Sequence, residues 1–142
     1  MKITKLILTV FLLLFPALPL VAAEVDCQIN SGPCVKQIPL DNIQVVFDIN
    51  PKPVKFMEEL AFTITLTQGK KPITDAKIQM ELGMPGMFMG KNTPAIKHVK
   101  DGIYEGKGVI PRCPSGKKVW RALLTIERDN KIAHVEFTFE GR

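Results

Sequence analysis

Helical periodicity is missing from this chain. No stretch of useful length repeats its apolar residues at the three- and four-residue spacing of an amphipathic helix, which argues against all-α and α/β folds. Catalytic signatures are missing too. There is no nucleophile motif, no phosphate-binding glycine loop, no His-x-x-x-His and no Cys-x-x-Cys pair, so the sequence points away from an enzyme. Glu58, Glu59 and Asp101 fall at turns, where hydration accounts for them. Charge of one sign is nowhere concentrated. The 19 Lys and Arg are scattered among 14 Asp and Glu, with only short pairs such as Lys70-Lys71 and Lys117-Lys118. A nucleic-acid binder would gather them into a stripe. Internal repeats and low-complexity segments are absent. With 142 residues, the chain has room for one ordinary domain.

The first residues read as an export signal. Lys2 and Lys5 form a positive start, Leu6 to Phe15 is an unbroken apolar run, and Pro16 and Pro19 break it. Val21-Ala22-Ala23 supplies the small residues that precede a cleavage site, so the signal peptide is placed at 1–23. The apolar run is short for a bilayer span of about 20 residues. Cleavage would leave a mildly basic periplasmic or secreted chain with no membrane span. A retained segment would instead make the protein membrane-associated.

Residues 24–40 carry Cys27, Asn30-Ser31-Gly32-Pro33, Cys34 and Pro39, and read as an irregular cysteine-containing arm. From residue 41 to 142 the period is two. Ile43, Val45, Phe47 and Ile49 alternate along one strand, and Leu60, Phe62, Ile64 and Leu66 along the next. A third carries Ala76, Ile78, Met80 and Leu82. A short fourth spans 95–100, and Asp101-Gly102 signals a hairpin into a fifth at 103–110. Trp120, Ala122, Leu124 and Ile126 mark a sixth, and Ala133, Val135, Phe137 and Phe139 a seventh. The expected fold is all-β, a seven-stranded immunoglobulin-like antiparallel β-sandwich.

One loop stands out. Met84-Pro85-Gly86-Met87-Phe88-Met89-Gly90 puts three methionines into six residues of a Gly- and Pro-rich connection, where large apolar side chains are unusual. Thioether sulfur is a soft ligand suited to Cu(I) in an oxidising compartment. The bland alternative is that the methionines fill gaps at the end of the core. With successive strands antiparallel, the loops after the first, third and fifth strands open at one end. They carry Met57, the methionine loop and Cys113. The candidate metal set is therefore Met84, Met87, Met89 and Cys113, with copper as Cu(I). Three cysteines leave one thiol over after a single disulfide, and the choice among the three pairings stays open: Cys27 with Cys34 locally, or Cys113 with the arm, through Cys34 or Cys27, to pin it to the sandwich. His98 and His134 belong to no metal-spacing motif, and Trp120 and Tyr104 read as core.

These residues resemble the YtkA-like domain family, which includes FixH-like proteins. The resemblance rests on Ala76-Lys77-Ile78, the loop from Met84 to Gly90, Asp101-Gly102-Ile103-Tyr104-Glu105-Gly106, and Trp120-Arg121. It spans Val45 to Phe139. It implies an exported or membrane-tethered β-sandwich and, through the FixH-like members, metal supply to a copper-containing oxidase. Any such role would fall on Met84, Met87 and Met89. This chain departs from FixH-like proteins in its apparently cleavable signal and in its cysteines. The expected function is a non-enzymatic copper-handling module, a carrier or assembly factor, whose partner is a membrane oxidase or metal-transport complex. The alternative is an interaction domain without a metal site.

Overall fold

A run that alternates apolar and polar residues buries one face when its backbone is extended, because successive side chains point to opposite sides. The computed structural model, which describes residues 24–142, turns every such run into a strand. The signal expected at 1–23 lies outside the described residues. The strands are β1 (Cys34–Ile38), β2 (Ile43–Asn50), β3 (Glu59–Gln68), β4 (Lys71–Pro72), β5 (Lys77–Gly83), β6 (Lys97–Lys100), β7 (Ile103–Val109), β8 (Val119–Arg128) and β9 (Lys131–Glu140). One antiparallel sheet has the order β1-β2-β3-β7-β6, with β4 also paired to β3, and the other has the order β5-β8-β9. Among the described residues no helix is long and apolar enough to cross a membrane.

The sheets meet through their apolar faces. Phe47 of β2 stacks on Phe137 of β9 with ring centroids 5.1 Å apart, and Phe139 lies 6.4 Å from it on the same strand. Ile43, Val45, Phe47 and Ile49 of β2, Leu60 to Leu66 of β3 at alternate positions, and Trp120, Ala122, Leu124 and Ile126 of β8 are all fully buried. Asp101-Gly102 forms the expected hairpin turn, with φ of 46° and 74°. Glycine is required there twice over, since a Cβ on Gly102 would come within 2.6 Å of the Leu66 carbonyl oxygen. Tyr104, buried at the start of β7, donates its hydroxyl hydrogen to the Ile73 carbonyl at 3.0 Å and accepts from the Ala76 N–H at 3.1 Å. It thereby fixes the crossover that carries the chain from one sheet to the other.

Among the described residues the sandwich has nine strands where seven were expected. β4 is a two-residue addition to the end of β3. β1 lies inside the arm that reads as irregular, and its disguise has a physical cause. Register pairs Cys34 with Phe47, Lys36 with Val45 and Ile38 with Ile43, so the inward positions of β1 are Cys, Lys and Ile. Outward Val35 is 53% exposed. Lys36 does the work of an apolar residue: its stem covers the Phe137 ring, with Nζ 5.1 Å from the centroid, and its head reaches Asp26 at 2.5 Å.

The arm straddles both sheets. Asp26 and Cys27 donate their backbone N–H groups to the Thr138 carbonyl of β9, while β1 pairs with β2. Cys27 and Cys34 form a disulfide across this bend, and Cys113 is a free, buried thiol. This overturns the alternative in which Cys113 pairs with Cys34. A local bridge suffices because backbone hydrogen bonds already hold the arm to the sandwich.

Asp26 ties the arm down with its side chain as well. Its Oδ1 accepts from the Thr138 N–H at 2.9 Å. Burial pushes its pKa up, but the hydrogen bonds from Lys36 and from the Thr138 N–H, with the Lys36 charge, outweigh that and hold it below the ordinary carboxylate value of 3.8. A depressed folded-state pKa stabilises the fold above the unfolded value and loses that contribution as pH falls through the folded one. Asp26→Asn should therefore lower stability at pH 7, by at most about 1 kcal/mol for so exposed a pair, and the deficit should vanish on acidification below the ordinary carboxylate range. Urea melts of both proteins at neutral and acid pH check this; an equal deficit at both pH values would contradict it.

Candidate metal centre

Three connections open at one end of the sandwich: β2 to β3, β5 to β6, and β7 to β8. They are laced together. Met57 donates its N–H to the Ile110 carbonyl at 2.9 Å, and Leu82 donates to the Asn92 carbonyl at 2.8 Å. The Asn92 side-chain amide donates to the Val109 carbonyl at 3.0 Å. The convergence expected from strand parity is thus present.

The methionine loop starts as a tight turn. Met87 donates its N–H to the Met84 carbonyl at 3.2 Å, and Gly86 sits at φ 70°. Proline in the second place and glycine with positive φ in the third are what a type II turn requires. Met84 and Met87 form an isolated antiparallel bridge across it, so their side chains share a face with Cβ atoms about 5 Å apart. Met84 continues the inward set of Ile78, Met80 and Leu82 and is buried at 3% exposure. Beyond the turn the side chains alternate. Met87 and Met89 are half-buried against the core, whereas Phe88 between them is 90% exposed.

The Cys113 loop comes to meet Met87. Cys113 Sγ lies 3.7 Å from Met87 Sδ, joining residues 26 positions apart. A metal–sulfur bond of about 2.3 Å would put two tetrahedral sulfur ligands about 3.8 Å apart, so this pair has the separation that one soft ion needs. It is also ordinary contact between a thiol and a thioether. Met84 stands across the turn from Met87, and Met89 follows two residues later, half-buried against the core. Met57, 66% exposed, shares this end of the sandwich through its backbone alone. Among the described residues no three of His, Cys, Asp and Glu converge as metal ligands. The donors gathered here are soft sulfurs, which fit Cu(I) better than hard-ligand ions.

Ser115 escapes a reading of the sequence. Cys113-Pro114-Ser115-Gly116 folds into a turn closed by the Gly116 N–H on the Cys113 carbonyl at 3.0 Å. That turn swings the Ser115 hydroxyl to 3.0 Å from Cys113 Sγ. The Ser115 hydroxyl draws the thiol's pKa below its ordinary 9.0 against the opposing effect of burial, helped by the backbone N–H groups of Ser115 and Lys117 and by the Lys117 charge. The Cys-Pro-x-Gly pattern was the available signal, since proline in second and glycine in fourth place mark a turn.

Trp120 lies at the same end of the core. Leu82 pairs with Ala122 and Gly83 with Arg121, so continuing the register sets Met84 opposite Trp120. The Trp120 ring is fully buried, 6.4 Å from Phe56, and among the described residues its indole N–H has no acceptor. The histidines make contacts of their own. His98 packs on Tyr104 at 5.0 Å, and exposed His134 hydrogen-bonds Thr125.

Burial governs what Cys113 can do as a nucleophile. Its pKa is drawn below the ordinary 9.0, but at 2% exposure an alkylating agent must wait for the loop to open. Iodoacetamide should therefore modify the native protein at least about a hundredfold more slowly than the urea-unfolded protein, with one equivalent incorporated by mass spectrometry. Fast modification of the native state would mean that the thiol is a reactive group.

No curated protein matches the chain in sequence. A DUF4785 family protein from Legionella pneumophila shares the fold, with a TM-score of 0.50 and 14% identity over 68% of this chain. This chain spans only 28% of that protein's length. A family match covers residues 39–111, from the end of the arm through β7, taking in all three loop methionines and stopping short of Cys113. Spanning just over half of the sequence, that match makes the chain a member of the YtkA-like family.

Proposed function

We propose that this protein is an exported, non-enzymatic module that handles Cu(I), as a carrier or as an assembly factor for a membrane oxidase or metal-transport complex. The observation that carries the reading is the 3.7 Å approach of Cys113 Sγ to Met87 Sδ. It brings a thiol with depressed pKa and a thioether to one point from two separate loops. Met84, across the turn from Met87, and Met89, two residues beyond it, are the further soft donors this reading uses. The Cys27–Cys34 disulfide suits an oxidising compartment outside the cytosol.

An anaerobic competition titration of residues 24–142 against a chromogenic Cu(I) chelator tests it. These residues contain both sheets, the core and the disulfide. The expected result is one tightly held ion per chain. Changing Met84, Met87 and Met89 together to Leu should abolish competition, and Cys113→Ser should weaken it at least about tenfold, the loss of one strong ligand contact. Met-to-Leu exchange conserves volume and costs less than about 1.5 kcal/mol per site, so the fold survives to be tested. Absence of competition by the native protein would remove the reading.

The burial of Met84 and the exposure of Phe88 favour a second reading. In it the loop packs the end of the core and offers its tip to a partner. That reading expects partner binding to survive the triple Leu change.

A further inference from the structure

We infer that the sulfur-bearing end of the sandwich docks onto an anionic lipid surface, with Phe88 entering the interface. Two independent observations meet there. The first is apolar. Phe88 is 90% exposed on the methionine loop, between two half-buried methionines, and Met57 of the neighbouring loop is 66% exposed. An aromatic ring held in water on an otherwise packed loop forgoes about 2 kcal/mol of burial.

The second observation is charge. Lys91, Arg112, Lys117 and Lys118 are exposed and belong to the loops of this end. None of the four takes part in an ion pair among the described residues. The acids nearby are largely occupied: Glu58 pairs with Lys55 at 3.4 Å and Glu59 with Lys107 at 2.9 Å, leaving Glu140. The opposite end also has Lys70, Lys71 and Lys100 unpaired among the described residues, but there Asp41, Asp75, Asp101 and Asp129 sit among the cations, with Asp75 paired to Arg128 and Asp41 to Lys131. Unpaired cations at the same end of the sandwich as an exposed aromatic complement a negatively charged surface that also accepts apolar groups. A bilayer containing anionic lipid meets both demands, because each Lys or Arg near it gains about 1 kcal/mol and the ring leaves water. Docking in this pose would turn the Cys113–Met87 pair towards the membrane plane. The proposal itself needs no metal and stands apart from the copper reading.

The test is co-sedimentation of metal-free residues 24–142 with vesicles of equal parts phosphatidylcholine and phosphatidylglycerol, against pure phosphatidylcholine. Binding should require the anionic lipid and weaken with added salt. Phe88→Ser should lower affinity about tenfold or more, and Lys117→Glu with Lys118→Glu about 25-fold or more. Lys70→Glu with Lys71→Glu makes the same charge change at the opposite end and should leave affinity within about twofold. Unchanged urea melts confirm that the variants are folded, as expected for exposed sites. Failure to bind anionic vesicles would overturn the proposal. Equal losses in the two double variants would also overturn it, because net charge alone would then explain binding.

Discussion

Replacing Trp120 by alanine lowers the stability of the sandwich by about 3–5 kcal/mol, the range for deleting a fully buried large aromatic. The ring has no exposure and packs on Phe56 at the end of the core where the three loops converge. Neighbouring strands cannot collapse into the gap, because β8 is pinned to β5 on one side and to β9 on the other. The unpartnered indole N–H trims the loss, since truncation leaves no hydrogen-bond acceptor stranded. Met84 stands opposite Trp120 by register, so the cavity should also loosen the turn that carries Met87. Urea melts should therefore show a lower midpoint with an unchanged m-value, and alkylation of Cys113 should accelerate in the folded variant. A loss under about 1 kcal/mol would mean that the site end of the core packs loosely.

Removing the Cys27–Cys34 bridge has the next largest effect. The cysteines are seven positions apart, and a closed loop of that size contributes about 2.5 kcal/mol through the entropy of the unfolded chain. Its place in the structure directs where the loss is felt. Cys27 sits on the segment bonded to β9 and Cys34 begins the strand paired with β2, so the bridge clips together the two halves of an arm that spans both sheets. Cys27→Ser with Cys34→Ser should cost about 2–4 kcal/mol and raise hydrogen exchange in β1 before any other strand. Reduction of the native protein should reproduce both effects. Cys113 should be the single thiol that reacts when the unreduced protein is unfolded. A second reactive thiol, or a peptide linking Cys113 to the arm, would contradict the pairing.

Much of this architecture is written in alternation. Leu60 to Leu66, Ile78 to Leu82 and Trp120 to Ile126 each bury one face, and nothing competes with that reading. The convergence of the methionine loop with Cys113 was also legible, because antiparallel strands return alternate loops to the same end. β1 was not legible, since Lys36 occupies an inward position and covers Phe137 with its stem, which defeats a count of apolar residues. Thr138 is a similar case. It lies on the polar side of β9 yet is 8% exposed, because the arm folds over it through Asp26. The disulfide pairing depended on where the arm docks, a contact made over more than a hundred residues of sequence. Ser115 needed the three-dimensional turn to bring its hydroxyl onto sulfur.

The central claim is that soft sulfur at one end of the sandwich holds copper, and methyl-labelled methionine NMR tests it most directly. Residues 24–142 contain five methionines, Met57, Met80, Met84, Met87 and Met89, each with its own ε-methyl signal. On addition of one equivalent of Cu(I) under anaerobic conditions, the signals of Met84, Met87 and Met89 should shift, and those of Met57 and Met80 should stay. The Cys113→Ser variant should show the same pattern at weaker affinity. Unmoved signals at Met87 throughout the titration, or shifts confined to exposed Met57, would contradict the account.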